Sequence, residues 1–490
     1  MNLTVVDLSV LIVYVSGVVL LGLWLGRGRQ NAKQYLLGGK DAPWWAVLGS
    51  IVATETSTVT FLSIPGITFA NGGNLCFLQL ALGLLVGRTL IVVLFLPLYF
   101  RGELFTAYQV LQERFGGGTQ RAASLIFLVA RNLGDGLRLF LTALVLEQTL
   151  GWSLSNCVIF IGSVTILFTV VGGMKSVIWN DCLQLVVYVV GGVVALLLIV
   201  GRLPDGFPGL LDFARETGRL RILDFRFDVS EANTFWAGLI GGAFLTLGTH
   251  GTDQMMVQRL LAARSQADAG KALVASALAV GLQFALFLWV GIALAAFYDA
   301  NPVSYVFNSG DQVFASYIVN EMPSGIGVIG LLLAAVFSAA ISTLSSSLNS
   351  SATAVVNDWI LFKRGDDRDA TVVRVSRLLT IGFGVVQIVI GILAQRADEA
   401  VIDNAMAIAS FSAGLLLGLF ALGRIQGVTQ WAALTALVAG FGTLLIVKFG
   451  LPIWSDGVWT IAWPWFALIG CSAMVLVGVL CRRIPSAASW

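Results

Sequence analysis

The sequence predicts an all-α polytopic membrane protein of thirteen transmembrane helices, built on an inverted five-plus-five helix repeat whose second and seventh spans are broken. Three observations predict it. The 490 residues are 57% hydrophobic and only 11% charged, with a mean hydropathy of +0.88, a balance foreign to soluble domains of this size. Apolar windows of about 20 residues alternate with loops whose Lys and Arg content alternates as well. Two of the windows are interrupted by polar residues, five spans apart along the chain.

The windows fall at 5–26, 44–72, 73–101, 120–150, 153–172, 173–201, 234–262, 267–298, 324–360, 372–395, 400–423, 427–449 and 457–481. Several exceed a simple span, as tilted or broken helices do. With the N-terminus outside and the C-terminus cytoplasmic, the inside loops hold nineteen Lys and Arg: Arg27, Arg29, Lys33, Lys40, Arg101, Arg114, Arg121, Lys175, Arg259, Arg264, Lys271, Lys363, Arg364, Arg368, Arg374, Arg377, Arg424, Arg482 and Arg483. The outside segments hold seven, five of them in the one long loop 202–231. That is the positive-inside pattern, and one missed or extra helix would break it downstream. The loop 202–231 and the segment 299–323 each have room for a short surface helix, and neither is large enough for a soluble domain. The first apolar stretch lacks a basic leader and reads as a retained helix. Cys76, Cys157, Cys182, Cys471 and Cys481 are scattered through mostly apolar segments and form neither a disulfide nor a zinc framework. A single histidine, His250, argues against most metal-dependent membrane enzymes.

The second span carries Thr54-Glu55-Thr56-Ser57-Thr58 and, seven residues later, Pro65-Gly66. Backbone-competing Ser and β-branched Thr make this a poor continuous helix. A break there exposes carbonyls at the end of the first half and N–H groups at the start of the second. The alternative is a helix interface packed by small residues, to which a glutamate is ill suited. The seventh span has a like interruption, from Gly241-Gly242 through Gly248-Thr249-His250-Gly251-Thr252-Asp253-Gln254. Pairing spans two to six with seven to eleven makes residues 44–201 and 234–423 two repeats of a single membrane transport domain covering 1–490. Residues 1–43 and 424–490 supply one extra helix before the repeats and two after them.

The ninth span contains Ala339-Ala340-Ile341-Ser342-Thr343-Leu344-Ser345-Ser346-Ser347-Leu348-Asn349. Hydroxyls at hydrocarbon depth bond within the protein or line a polar cavity. Ser342, Thr343, Ser345 and Ser346 recur at helical spacing, so several oxygens can converge on one point, as a hard cation such as Na⁺ requires. The pattern points to an ion-coupled transporter.

At this level of detail the chain resembles the sodium:solute symporter family, which shares the leucine-transporter architecture. The residues that carry the likeness are Tyr35-Leu36-Leu37-Gly38-Gly39, Trp44-Trp45, Thr60-Phe61-Leu62 with Pro65-Gly66, and the run from Gly172-Gly173-Met174-Lys175 to Asn180-Asp181-Cys182-Leu183-Gln184. Asp253-Gln254, Val257-Gln258-Arg259 and Leu348-Asn349-Ser350 complete the set. In motif it is closest to sialic acid and sugar sodium symporters. The resemblance implies a first sodium site from the carbonyls of Ala53, Thr56 and Ala339 and the hydroxyls of Ser342 and Thr343. Some members, sialic acid transporters among them, have a second sodium site, whose counterparts here are Asp181, Ser345 and Ser346, with Ser342 shared. The alternative for Asp181 is a helix-end aspartate facing cytoplasmic water.

The family binds solute beside the break of the second span. By position Glu55, Ser57, Thr60 and Gln79 are the candidate contacts, together with Arg131, Asp135 and Arg138, which share one face of the fourth span. Gln79 serves equally as a hydrogen bond between helices. The charged face serves either as an internal salt-bridge network or as a site with one arginine left to grip a solute carboxylate. Glu55 departs from the family, where a small or hydroxyl residue is commoner; a carboxylate there can accept sugar or amide hydrogen bonds, bind an amine or carry a proton. His250 reads first as a structural hydrogen bonder.

The expected function is sodium-coupled symport of a small polar solute (a sugar, a sialic acid-like or other carboxylate, or an amino acid) by alternating access, in a multi-pass cell membrane location, bacterial inner membrane given the compact loops. Its partners are the solute, sodium ions and the bilayer, with no nucleic acid and no obligate protein. A solute sensor is disfavoured because the chain stops soon after its last span. An enzyme is disfavoured by the lack of a catalytic cluster. A passive channel differs only in being unable to concentrate its solute.

Overall fold

The computed structural model describes residues 4–28, 30–302, 307, 310–323, 325–360, 369–396 and 399–482. Arg29, Lys363, Arg364, Arg368 and Arg483, counted above among the loop cations, lie outside the described residues. The long helices are α1 (Val5–Leu25), α2 (Trp44–Glu55), α3 (Thr58–Phe69), α4 (Leu80–Leu94), α5 (Gly117–Leu150), α6 (Leu154–Val200), α7 (Gly242–Gly251), α8 (Gln254–Leu261), α9 (Gln266–Ala300), α10 (Val328–Ala354), α11 (Asp369–Ala394), α12 (Glu399–Gly423), α13 (Gln430–Leu445) and α14 (Phe466–Leu480). No strand forms among the described residues. Among the described residues eight helices are long and apolar enough to cross a membrane, and the bent pair α2–α3 makes a ninth. Short helices Gly206–Glu216 and Gly310–Asn320 occupy the two longer connections.

Burial orders the bundle. In the span holding α10, 89% of the most apolar window is buried, against 22% in α1. Helix α10 is therefore the central post, and its Ser, Thr and Asn side chains find partners only inside the protein. Helix α1 packs at the rim, where Tyr14 receives the Ser338 hydroxyl of α10 at 2.7 Å.

The second span breaks as its composition predicts. Helices α2 and α3 meet at a bend of 63°, and Thr56 (ψ 97°) and Ser57 (ψ 170°) between them are extended. Helix α3 carries Pro65 inside it, where no N–H is available for the i−4 carbonyl. Helix α9 supports this weak segment. Thr68 donates to Leu288 O at 2.7 Å, and a side chain at Gly291 would strike Pro65 O at 2.0 Å. At the C-terminal end of α3 buried Arg219 donates to the carbonyls of Thr68 and Ala70, each at 2.9 Å, which terminates the helix. The segment expected to be a broken seventh span parts into α7 and α8 at Thr252–Asp253, where Asp253 (ψ 127°) starts α8 by accepting from Met255 N–H at 2.9 Å.

Helix α6 holds two apolar windows in 47 residues, joined at Gly173 with φ 57° and ψ −155°. A Cβ there would lie 2.6 Å from Tyr35 O. Gly173→Ala therefore combines a disfavoured backbone with a backbone clash, and we expect a loss of about 1–3 kcal/mol, read as a lowered thermal midpoint in detergent. An unchanged midpoint would show that the kink is not strained.

Candidate functional site

The end of α2 and the middle of α10 meet at mid-bundle. Thr343 Oγ1 donates toward Thr54 O at 3.2 Å and Ala339 O at 3.3 Å. Ala53, Thr56 and Ala339 line one tight crevice with no room for a water molecule, together with Gln184, Tyr188 and Ser338. Ser342 Oγ donates to Asp181 Oδ1 at 2.7 Å. The five residues expected to hold a first sodium are thus gathered around one junction of unwound backbone and helix. The Gln184 amide beside them is buried. Neutral oxygens gathered at so tight a crevice suit a small hard cation.

Asp181 is fully buried, so it is no water-facing helix end. Its carboxylate accepts from Ser50 at 2.5 Å, Ser342 at 2.7 Å and Arg259 at 3.2 Å. The same guanidinium donates to Ser346 and, through Nε, to Ser50 at 2.9 Å. Arg259 therefore contacts two of the residues proposed for a second sodium. The third, Ser345, donates to Ser342 O at 3.1 Å. Arg259 is also withdrawn from the loop cations counted from the sequence: it is 1% exposed and serves as a core ion-pair partner.

Glu55 closes α2 and faces an arginine that sequence reasoning passed over. Arg88 of α4 is fully buried and donates to Glu55 Oε2, and to Ser276 at 2.5 Å. An arginine alone in an apolar helix is costly without a partner, and that isolation was the available signal. His250 of α7 joins the group, with Nε2 3.3 Å from Arg88 and 3.4 Å from Glu55. Its Nδ1 lies 2.9 Å from Thr249 Oγ1, which itself donates to Leu245 O at 3.0 Å. This network assigns a neutral ring protonated at Nδ1, accepting at Nε2 from Arg88.

On α5, Arg138 donates to Asp135 at 2.6 Å, and Arg131 sits 3.9 Å from Asp135 and 2.8 Å from Asp253 at the seventh-span break. Arg131 is consumed by locking α5 to that break. Arg138 keeps further N–H groups, is 31% exposed, and borders a narrow crevice of about 10 Å³ with Ser57, Thr58, Thr142 and Thr343. Helix α3 starts at Thr58, so its N-terminal N–H groups lie at the same crevice. Ser57 and Thr60 flank that start. Gln79 stands apart: its amide bonds Cys76 O and Asn233 O at 3.0 Å and Asp224 N–H at 2.9 Å, tying its own segment to the long connection that follows α6. Hydrogen bonds from Arg226 hold the Asp224 carboxyl in that loop down to about 2. The Arg226–Asp224 pair is thus complete above the usual carboxylate range and is lost only as pH falls toward that value, while the Gln79 bond, made to the Asp224 backbone N–H, does not titrate.

Around the two breaks each acid has its own arginine: Glu55 with Arg88, Asp135 with Arg138, Asp253 with Arg131, Asp181 with Arg259. With a neutral His250 the set sums to zero.

The family model described as the sodium:solute symporter family matches residues 35–440. A sodium-coupled monocarboxylate transporter 2 from Bos taurus is 30% identical over 419 residues, 84% of this chain and 67% of the relative. A sodium/iodide cotransporter from Homo sapiens is 29% identical over 443 residues, 89% of this chain and 68% of the relative. Among solved structures, a substrate-bound, outward-open Na⁺-coupled sialic acid symporter superposes with a TM-score of 0.87 over 97% of both chains at 24% identity, which establishes a shared fold.

Proposed function

We propose, from the premise that this chain belongs to the sodium:solute symporter family, that it imports a small monocarboxylate together with sodium by alternating access. The observation that carries the choice of solute is the exact pairing of charges at the breaks, beside an arginine with N–H groups to spare. A sodium ion at Ala53, Thr56, Ala339, Ser342 and Thr343 adds one uncompensated positive charge at mid-bilayer, which is expensive. A monoanionic solute at the neighbouring Arg138 crevice, which must widen from about 10 Å³ to admit it, removes that cost. Arg138, the Ser57 hydroxyl and the N-terminal N–H groups of α3 are the groups that would receive its carboxylate. Sodium and solute then favour one another by a shared coupling free energy. Relatives named for a monocarboxylate and for iodide, both monoanions, support the reading.

One sodium is proposed at the first site. A second at Asp181, Ser345 and Ser346 requires Arg259 to withdraw. The chain is proposed to cross the membrane thirteen times, N-terminus outside, with residues 44–201 and 234–423 as the two repeats. The loop cations that remain after removing Arg259 support that orientation, and bacterial inner membrane is the proposed location.

The test is uptake into proteoliposomes. An inward sodium gradient is expected to concentrate a short monocarboxylate above its outside level, which a passive channel cannot do. Arg138→Gln is expected to raise the solute KM by about ten- to a hundredfold, the worth of a charge-assisted hydrogen bond, with sodium affinity measured without solute unchanged. An Arg138→Gln protein of unaltered KM would exclude this arginine from the site.

A further inference from the structure

Helices α5, α12 and α13 enclose a groove of about 360 Å³ on the surface of the bundle. Apart from Ser412, every residue lining it is apolar. Its rims are open: Leu125 is 50% exposed, Val129 58% and Val438 73%. One end of the groove is basic. There α5 starts at Gly117, α12 ends at Gly423 and α13 starts at Gln430. Arg114 donates to Gly423 O and Ile425 O at 2.9 Å, and a Cβ on Gly116 would lie 2.8 Å from the Gln430 side chain, so the three helix ends meet. Residues 113–121 and 423–431 hold Arg114, Arg121 and Arg424 against the single acid Glu113. Backbone carbonyls engage Arg114 and Arg424. Arg121 is exposed and makes no hydrogen bond or ion pair among the described residues.

We infer that this groove binds an anionic glycerophospholipid of the bilayer, its phosphate on Arg121 and one acyl chain laid along α5. The inference rests on α5, α12 and α13 crossing the membrane, as proposed above. Arg121, Leu125, Val129 and Leu133 follow one another at i+4 and form one ridge of α5. From Arg121 to Leu133 that ridge runs about 18 Å at 1.5 Å per residue, against about 15 Å for one leaflet of a hydrocarbon core about 30 Å thick. A chain whose headgroup sits at Arg121 therefore reaches the far end of the groove. A guanidinium offers a phosphate two parallel N–H donors. Trp431, 77% exposed at the start of α13, stands at the same end, where an amphipathic ring suits the headgroup level. A second copy of this chain is the poorer occupant. A twofold axis along the membrane normal sets residues of equal depth against each other, so Arg121 would meet Arg121 and repel it. A soluble anion has no chain with which to fill the groove.

The test is photo-cross-linking in proteoliposomes of phosphatidylcholine that carry a small fraction of phosphatidylglycerol with a diazirine on one acyl chain, the labelled peptides being read by mass spectrometry. Labelling of α1, at the rim of the bundle, is the internal standard. Residues 125–133 and 437–441 are expected to be labelled about fivefold more by this lipid than by diazirine-phosphatidylcholine at the same fraction, the worth of one cation at an anionic surface. Arg121→Gln is expected to bring the yield down to the phosphatidylcholine level, and Arg121→Lys to keep most of it. Ala130→Trp, which fills the groove and leaves Arg121 in place, is expected to abolish labelling of 437–441. Equal labelling by the two lipids, or a yield unmoved by Arg121→Gln, leaves only bulk lipid at the groove and overturns the inference. So does labelling of α1 without labelling of either groove segment, which would mean that protein covers the groove or that it does not face the bilayer. Each of these outcomes leaves sodium-coupled uptake untouched.

Discussion

Replacing Ser342 and Thr343 together by alanine is expected to abolish the sodium dependence of uptake. The two hydroxyls sit where α10 meets the unwound end of α2, and Thr343 alone bridges toward Thr54 O and Ala339 O. Removing both takes away two of five proposed oxygen ligands. At about 1.5–3 kcal/mol for each interaction with a charge, sodium affinity falls by more than a hundredfold. The fold has reason to survive: the substitutions delete oxygens without adding volume, and α10 keeps its packing. The measurement is initial uptake against sodium concentration. A flat response in the double variant, with protein of unaltered thermal midpoint, agrees with the assignment; an unchanged sodium curve moves the ion elsewhere.

Breaking the Asp181–Arg259 pair is expected to have the largest effect on stability. Both side chains are buried, at 0% and 1% exposure, so losing one partner strands the other. Asp181→Asn alone should cost about 3–5 kcal/mol, and the double variant Asp181→Asn, Arg259→Gln should recover much of it, because stranded charge and not lost attraction dominates such cases. Thermal unfolding in detergent reads both. Equal loss in the single and double variants would mean that the pair contributes through shape and hydroxyl contacts alone. Arg259→Ala carries a separate expectation. It leaves the carboxylate ringed by Ser50, Thr54 and Ser342, so added sodium should raise the midpoint of this variant more than that of the parent. No difference would rule out a cation exchanging with the arginine.

The legible features were those in which backbone need and side-chain chemistry coincide. The break of the second span could be read from Thr54 to Ser57 because a helix that must unwind uses residues that compete for its own hydrogen bonds. The ninth-span hydroxyls could be read because buried Ser and Thr at helical spacing have few other uses. Partner choice was not legible. Gln79 in an apolar run reads alike as solute contact or loop tie, and only the position of Asp224 N–H decides for the tie. Arg88 and Arg259 are single cations whose acids lie 33 and 78 residues away in sequence. Hydropathy counts one as a blemish in a span and the other as the edge of a loop. Likewise Asp135 stood between two arginines of its own helix, and it took the approach of Asp253 from another span to leave Arg138 with donors to spare.

The central claim is that sodium sits between the unwound end of α2 and the hydroxyls of α10. Equilibrium binding of radioactive sodium to the purified protein, with no solute present, tests it most directly. The account predicts saturable binding in the parent, retained in Arg138→Gln and absent when Ser342 and Thr343 are both alanine. Binding of equal affinity in that double variant would contradict it.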